Sequence, residues 1–187
     1  MHQKVETWRR AASKRIADCR VFTVREDFCE RASDNLKSSF FVMENPDWVN
    51  IIALTGEKEV VLIEQFRHGA QKITTEIPGG MVDANELPET AARRELAEET
   101  GYTSENFVYL GKSVPNPALQ NNWIHHFLAL NCRKTLETNF DEHESLVTKL
   151  VNLPEIEKMI ENEIISHSLV LAAFYRFEQY RKLQQNF

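Results

Sequence analysis

Cysteine is scarce in this chain. Only Cys19, Cys29 and Cys132 occur, and no two of them form a Cys-x-x-Cys pair. A thiolate zinc site is therefore not indicated, and an odd number of unpaired thiols suits a reducing compartment. No apolar run approaches the ~20 residues of a membrane span. The first residues, Met-His-Gln-Lys-Val-Glu-Thr-Trp-Arg-Arg, lack the apolar core of a secretory signal. These absences predict a cytoplasmic protein with no membrane partner. Positive charge is in deficit too. A formal net charge of -6 makes a nucleic-acid polyanion a poor default partner. No internal repeat and no low-complexity tract is present.

What remains is ordinary globular material. At 187 residues, 42% of them hydrophobic, the chain fits one domain or one domain with a small appendage. The polar stretch up to about Ala17 predicts a frayed helix. Strand-like segments follow at 19–28, 36–43, 48–55 and 58–66, the last two joined by a Gly56-Glu57 hairpin turn. A short strand at 73–77 ends in Pro78-Gly79-Gly80. A helix then starts near Pro88, whose missing N–H would be orphaned there anyway, and stops at Gly101. Its expected buried stripe is Ala91, Ala92, Leu96 and Ala97. Further strands are expected at 107–110, 123–130 and 146–151. Asn152 and Pro154 mark the start of another helix. A last helix spans about 166–183, with Leu169, Ala172, Ala173, Tyr175 and Phe177 expected in the core. Strands dominate the first third and helices come later, which predicts an α+β layered fold. A subdivision is expected near Asn45-Pro46-Asp47, leaving an N-terminal β region over 1–45 and a main domain over 46–187.

The helix after Gly80 carries an electrostatic cost. Glu95, Glu98 and Glu99 occupy positions i, i+3 and i+4, which share one helix face. Three carboxylates there repel one another unless a cation sits among them. A hard divalent ion prefers oxygen ligands of this kind, and a metal beside a glycine loop suggests phosphate chemistry.

Gly80, Glu86, Arg94, Glu95, Leu96, Glu98, Glu99 and Gly101 stand in a fixed register that resembles the Nudix box. Only the last aliphatic position departs, being Tyr102. With average residue usage, eight such matches coincide roughly once in a billion starting points. Glu64-Gln65-Phe66-Arg67 and Glu76-Ile77-Pro78-Gly79-Gly80 resemble the ADP-ribose and nucleoside-diphosphate-sugar pyrophosphatase branch of that family, although Gly79 stands where alanine is usual. The loop Pro115-Asn116-Pro117 and the acidic loop Asp141-Glu142-His143-Glu144 are also similar to that branch.

The resemblance implies a Nudix-type α/β/α sandwich with a mixed sheet, plus a small N-terminal antiparallel sheet that dimerises. It implies Mg²⁺- or Mn²⁺-dependent hydrolysis of a nucleotide-sugar pyrophosphate. Glu95, Glu98, Glu99 and the Gly79 carbonyl would be metal ligands, with Glu98 either a ligand or an orienter of water. Glu144, Glu142 or a box residue would act as general base. Arg94 would pair with a box carboxylate, and Glu86 would be structural or a remote ligand. Arg67 is either a phosphate contact or a partner in an ion pair. Glu76 either accepts a hydrogen bond from a sugar or base or is structural. Trp48 stacks on a base, packs in a dimer interface or belongs to the core. Trp123 and Gln120 are candidates by position alone. His125 and His126, adjacent on a strand, face opposite sides and are read as non-catalytic. Two alternatives remain: another pyrophosphate substrate (a nucleoside triphosphate, a dinucleoside polyphosphate, coenzyme A or 5′-triphosphate RNA), or a regulator that binds nucleotide sugars without catalysis.

Overall fold

The structure, a computed structural model, describes residues 5–140 and 145–184. Two compact units divide the chain. One comprises the residues up to Pro46 together with Val114–Asn122; the other comprises Asp47–Ser113 and the residues from Trp123 onward.

The first unit is a three-stranded antiparallel sheet of β1 (Trp8–Asp18), β2 (Thr23–Arg31) and β3 (Lys37–Glu44), in that order. β1 corrects the expectation of a helix there. Its residues are all exposed, so its sequence carries no alternating pattern. Pairing with β2 from Trp8↔Arg31 to Asp18↔Thr23 decides the conformation instead, since non-local pairing overrides weak local propensity. Cross-strand contacts reinforce it: Arg9 to Glu30 at 2.6 Å and Ser13 to Asp27 at 2.6 Å. Met43 N–H donates to the Leu119 carbonyl at 2.7 Å, fastening the 114–122 segment to β3.

The second unit holds the main sheet. Its strands are β4 (Trp48–Thr55), β5 (Glu59–Arg67), β6 (Lys72–Glu76), β7 (Tyr102–Thr103), β8 (Asn106–Ser113), β9 (Ile124–Lys134) and β10 (Leu146–Asn152). The order runs β10-β5-β4-β9-β7, with β6 on β5 and β8 on β9. β4 and β9 pair parallel, while the other pairs are antiparallel. The sheet is therefore mixed. The helices are α1 (Pro88–Thr100), α2 (Leu153–Glu161) and α3 (Ser168–Gln184).

β4 is buried along nearly its whole length, so its alternate residues serve two cores. Val49, Ile51 and Ala53 meet Ala91, Ala92 and Leu96 of α1. Ile52 and Leu54 pack with Ile156 of α2 and with Val170, Ala173, Phe174 and Phe177 of α3. Helices thus cover both faces of the mixed sheet, giving the α/β/α sandwich that the sequence resemblance implies. Four core expectations are corrected. Ala97, Leu169 and Ala172 are only half-buried, and Glu99 and Thr100 are buried in α1 instead. Tyr175 is 66% exposed, because the helical spacing 170, 173, 174, 177 turns Phe174 inward and Tyr175 out.

Candidate active site

Pro78, Gly79 and Gly80 run antiparallel beside β4. Ile51 N–H donates to the Pro78 carbonyl and Val49 N–H to the Gly80 carbonyl, both at 2.9 Å. Carbonyls alternate sides along an extended segment. Gly79 therefore turns its own N–H and C=O away from β4, toward α1. That N–H donates to Glu99 Oε2 at 2.8 Å. Gly79 is needed for close approach of two backbones, and Gly80 leaves room for the Glu95 side chain. A Cβ on Gly79 would overlap the Val49 carbonyl and lie 2.9 Å from Asn50 Cα, and a Cβ on Gly80 would overlap the Glu95 carboxylate. Gly101 is different: its φ of 72° is the left-handed stop of α1, a conformation glycine adopts without steric cost.

Arg94 answers the repulsion read from the sequence. Its Nε and Nη2 donate to Glu86 at 3.1 and 2.9 Å. Its Nη1 donates to Glu95 at 2.8 Å and to Glu98 at 3.2 Å, and Nη2 reaches the Met81 carbonyl at 3.0 Å. One guanidinium thus binds three carboxylates and the loop. The bond to Glu86, then those to Glu95 and Glu98, raise the Arg94 pKa further above its ordinary value. Arg94 in turn holds the Glu86 carboxyl below its usual range.

Glu99 is 4% exposed, whereas the Glu98 side chain is 41% exposed. The donors around this loop are carboxylate and carbonyl oxygens, a set that fits a hard divalent cation. Among the described residues, no three His, Cys, Asp or Glu side chains are gathered closely enough to hold a metal ion between them. Glu142 and Glu144 lie outside the described residues. Asn139, shortly before them in the chain, donates its N–H to the Glu98 carbonyl at 2.9 Å, against the C-terminal half of α1.

A second cluster surrounds Glu76, which is 3% exposed. Arg67 Nε and Nη2 donate to its two oxygens at 2.9 and 2.8 Å. Thr74 Oγ1 adds a bond at 2.7 Å and His167 Nδ1 another at 2.9 Å. Burial alone would raise the Glu76 pKa, but the bonds from Arg67, His167 and Thr74 hold it well below the usual carboxylate range. Two of the three substrate-contact candidates, Arg67 and Glu76, are thus brought together as an ion pair. Sequence reasoning missed His167, and no local signal marks it. The turn before α3 brings it to a strand far away in sequence.

Trp48 opens β4, half-buried, with its N–H on the Trp123 carbonyl at 2.9 Å and a backbone bridge to Met81. Lys112 Nζ lies 4.0 Å from the centre of the Trp123 ring. Gln120 falls in the other unit. His126 is fully buried, with Nδ1 at 2.7 Å from Asn50 Oδ1 and Nε2 at 2.8 Å from Ser113 Oγ. Asn50 Nδ2 donates onward to the Leu169 carbonyl at 3.0 Å, so Asn50 Oδ1 accepts from a protonated Nδ1. Burial, then Arg176 and His125, push the His126 pKa down to about 4. His125 bonds instead to Asp47 at 3.2 Å and to Tyr109 at 3.1 Å.

Residues 45–173 match the family model described as the NUDIX domain. The chain belongs to the Nudix hydrolase family. Among curated relatives, it is 32% identical over 145 residues to a methanol dehydrogenase activator of Bacillus methanolicus, covering 77% of this chain and 76% of that protein. It is 31% identical over 122 residues to an ADP-ribose pyrophosphatase of Bacillus subtilis (strain 168), covering 65% of this chain and 66% of that one. The crystal structure of an ADP compounds hydrolase superposes with a TM-score of 0.85 at 21% identity, over 99% of this chain and 100% of the other. That likeness bears on the fold. The chemistry of this Nudix hydrolase is pyrophosphohydrolysis, and Glu95, Glu98 and Glu99 are its box glutamates. Among the described residues, no helix is long and apolar enough to cross a membrane.

Proposed function

We propose that this Nudix hydrolase cleaves the pyrophosphate bond of ADP-ribose or a nucleoside diphosphate sugar, giving a nucleoside monophosphate and a sugar phosphate. The observation that carries the reading is the convergence of Glu95 and Glu99 on the Gly79-Gly80 loop. The substrate class is supported by the name of the Bacillus subtilis relative and by the Gln-Phe-Arg and Glu-Ile-Pro-Gly-Gly segments.

Glu95, Glu98 and Glu99, with the Gly79 carbonyl, would hold Mg²⁺ or Mn²⁺. When bound, such an ion neutralises phosphoryl oxygens and acidifies water. The chain supplies the rest. Arg94 fixes Glu95 and Glu98 relative to the loop, and holding the ion would draw these carboxylates together with Glu99. Glu98, the more exposed of the pair, orients the attacking water. Glu144 or Glu142 takes its proton as a phosphorus–oxygen bond forms and the bridging bond breaks. The leaving phosphate keeps the bridging oxygen. Arg67 supplies a planar guanidinium for a phosphate, and Trp48 a ring for the base. The N-terminal region serves dimerisation: β1–β3 expose Trp8 and Phe40 on one face and Phe28 and Phe41 on the other, apolar groups suited to an interface.

The test is a panel of ADP-ribose, nucleoside diphosphate sugars, nucleoside triphosphates, dinucleoside polyphosphates, coenzyme A and 5′-triphosphate RNA with Mg²⁺, read by product chromatography. Preferential turnover of ADP-ribose or a nucleotide sugar is expected. Preference for any other member replaces the substrate reading. Tight nucleotide-sugar binding without product would favour a regulator.

A further inference from the structure

Glu76 has a second basic partner beside Arg67, the imidazole of His167. Arg67 fills one donor position on each oxygen, Thr74 fills the second on Oε1 and His167 the second on Oε2. The two basic partners differ from Glu76 in exposure. Glu76 is 3% exposed, whereas the Arg67 side chain is 44% and the His167 side chain 35% exposed. Both basic groups therefore reach solvent while the carboxylate does not.

Chemistry sets what each can do. A carboxylate held ionised only accepts, so His167 Nδ1 carries the hydrogen in this bond. Its Nε2 can gain a second proton without disturbing that bond. His167 also caps α3: its carbonyl accepts the N–H groups of Val170 and Leu171, each at 3.0 Å. If Arg67 leaves, Glu76 becomes a buried carboxylate short of its counter-charge, which is strongly unfavourable. Proton uptake at His167 restores the balance. Among the described residues, the charged groups bonded around His167 are Glu76 from β6 and, across that carboxylate, Arg67 from β5.

We propose that Arg67 is an exchangeable arm that leaves Glu76 for a substrate phosphate, and that His167 is the positioning residue that balances Glu76 while the arm is away. This rests on the reading of Arg67 as a phosphate contact. Its consequence is that substrate binding takes up a proton, and that His167 governs KM more than kcat.

The test is titration calorimetry of the full chain with α,β-methylene ADP-ribose and Mg²⁺ near pH 7, in two buffers of different ionisation enthalpy. The expected result is net proton uptake in the wild type and its loss in His167→Gln, whose amide retains one donor for Glu76. With the preferred substrate of the panel, KM of that variant should rise roughly tenfold while kcat changes less. Binding without uptake, or equal uptake in both proteins, overturns the proposal. If the analogue does not bind, the substrate reading has failed, and NMR decides this proposal separately. In Arg67→Gln at pH 7, the His167 Cε1–H resonance should move toward its imidazolium position. An unchanged resonance in a folded variant overturns it.

Discussion

The Glu99 carboxylate accepts the backbone N–H of Gly79 at 2.8 Å, joining the last turn of α1 to the loop that follows β6. Gly80 makes the adjoining contact by leaving room for Glu95. The helix carboxylates and the loop are therefore one assembly, set on β4 by the backbone bonds of Pro78 and Gly80.

Adding one methyl group tests that assembly. In Gly80→Ala the new Cβ overlaps the Glu95 carboxylate, and either the loop or Glu95 must move. Turnover should fall at least about 100-fold, the scale on which a misplaced catalytic group is felt. Circular dichroism should report an intact fold, because Gly80 has no positive φ to lose. Wild-type turnover in the variant would show that this close approach is dispensable.

Arg94 is the internal cation of the cluster. Arg94→Gln leaves Glu86, Glu95 and Glu98 without their shared guanidinium. We expect a stability loss of about 2–3 kcal/mol, typical of a partly buried charged network losing a member. Those carboxylates should then gain more from added cation. Mg²⁺ should raise the melting temperature of the variant more than that of the wild type, measured by thermal denaturation. Equal increments would contradict a cation site among these carboxylates.

His126 predicts an acid limb of stability. Its folded pKa lies near 4, below the ordinary histidine value of about 6.5. Between those values the unfolded chain binds the proton and the folded chain does not. Stability from this group is therefore complete above about pH 6.5 and falls as pH drops toward 4, by about 3 kcal/mol in total. Urea unfolding across that range should show the slope, and His126→Leu should flatten it.

The legible parts of the sequence were those with local chemistry. The box register identified α1 and its carboxylates, proline and glycine marked its ends, and the apolar runs at β4 and β5 announced a buried sheet. What stayed hidden depends on partners distant in the chain. β1 has no alternation because neither face is covered, so only β2 reveals it. Tyr175 has the right hydrophobicity but the wrong helical phase for the core. The bonding of Arg67 was equally hidden, since Glu76 and His167 reach it from β6 and the turn before α3. Helix spacing put Glu95, Glu98 and Glu99 on neighbouring turns of α1, yet could not show that Arg94 already links two of them while Glu99 turns to the Gly79 N–H.

The most direct measurement is hydrolysis of ADP-ribose with Mg²⁺ by the wild type, Glu98→Gln and Glu99→Gln. Gln at position 99 keeps an oxygen for the Gly79 N–H but removes the charge, so fold and metal-ligand roles are separable. The wild type should yield AMP and ribose 5-phosphate, and should lose turnover when the metal is chelated. Both variants should fold and lose at least about 100-fold in turnover. Full activity in both variants would contradict the assignment of these carboxylates as the catalytic metal site.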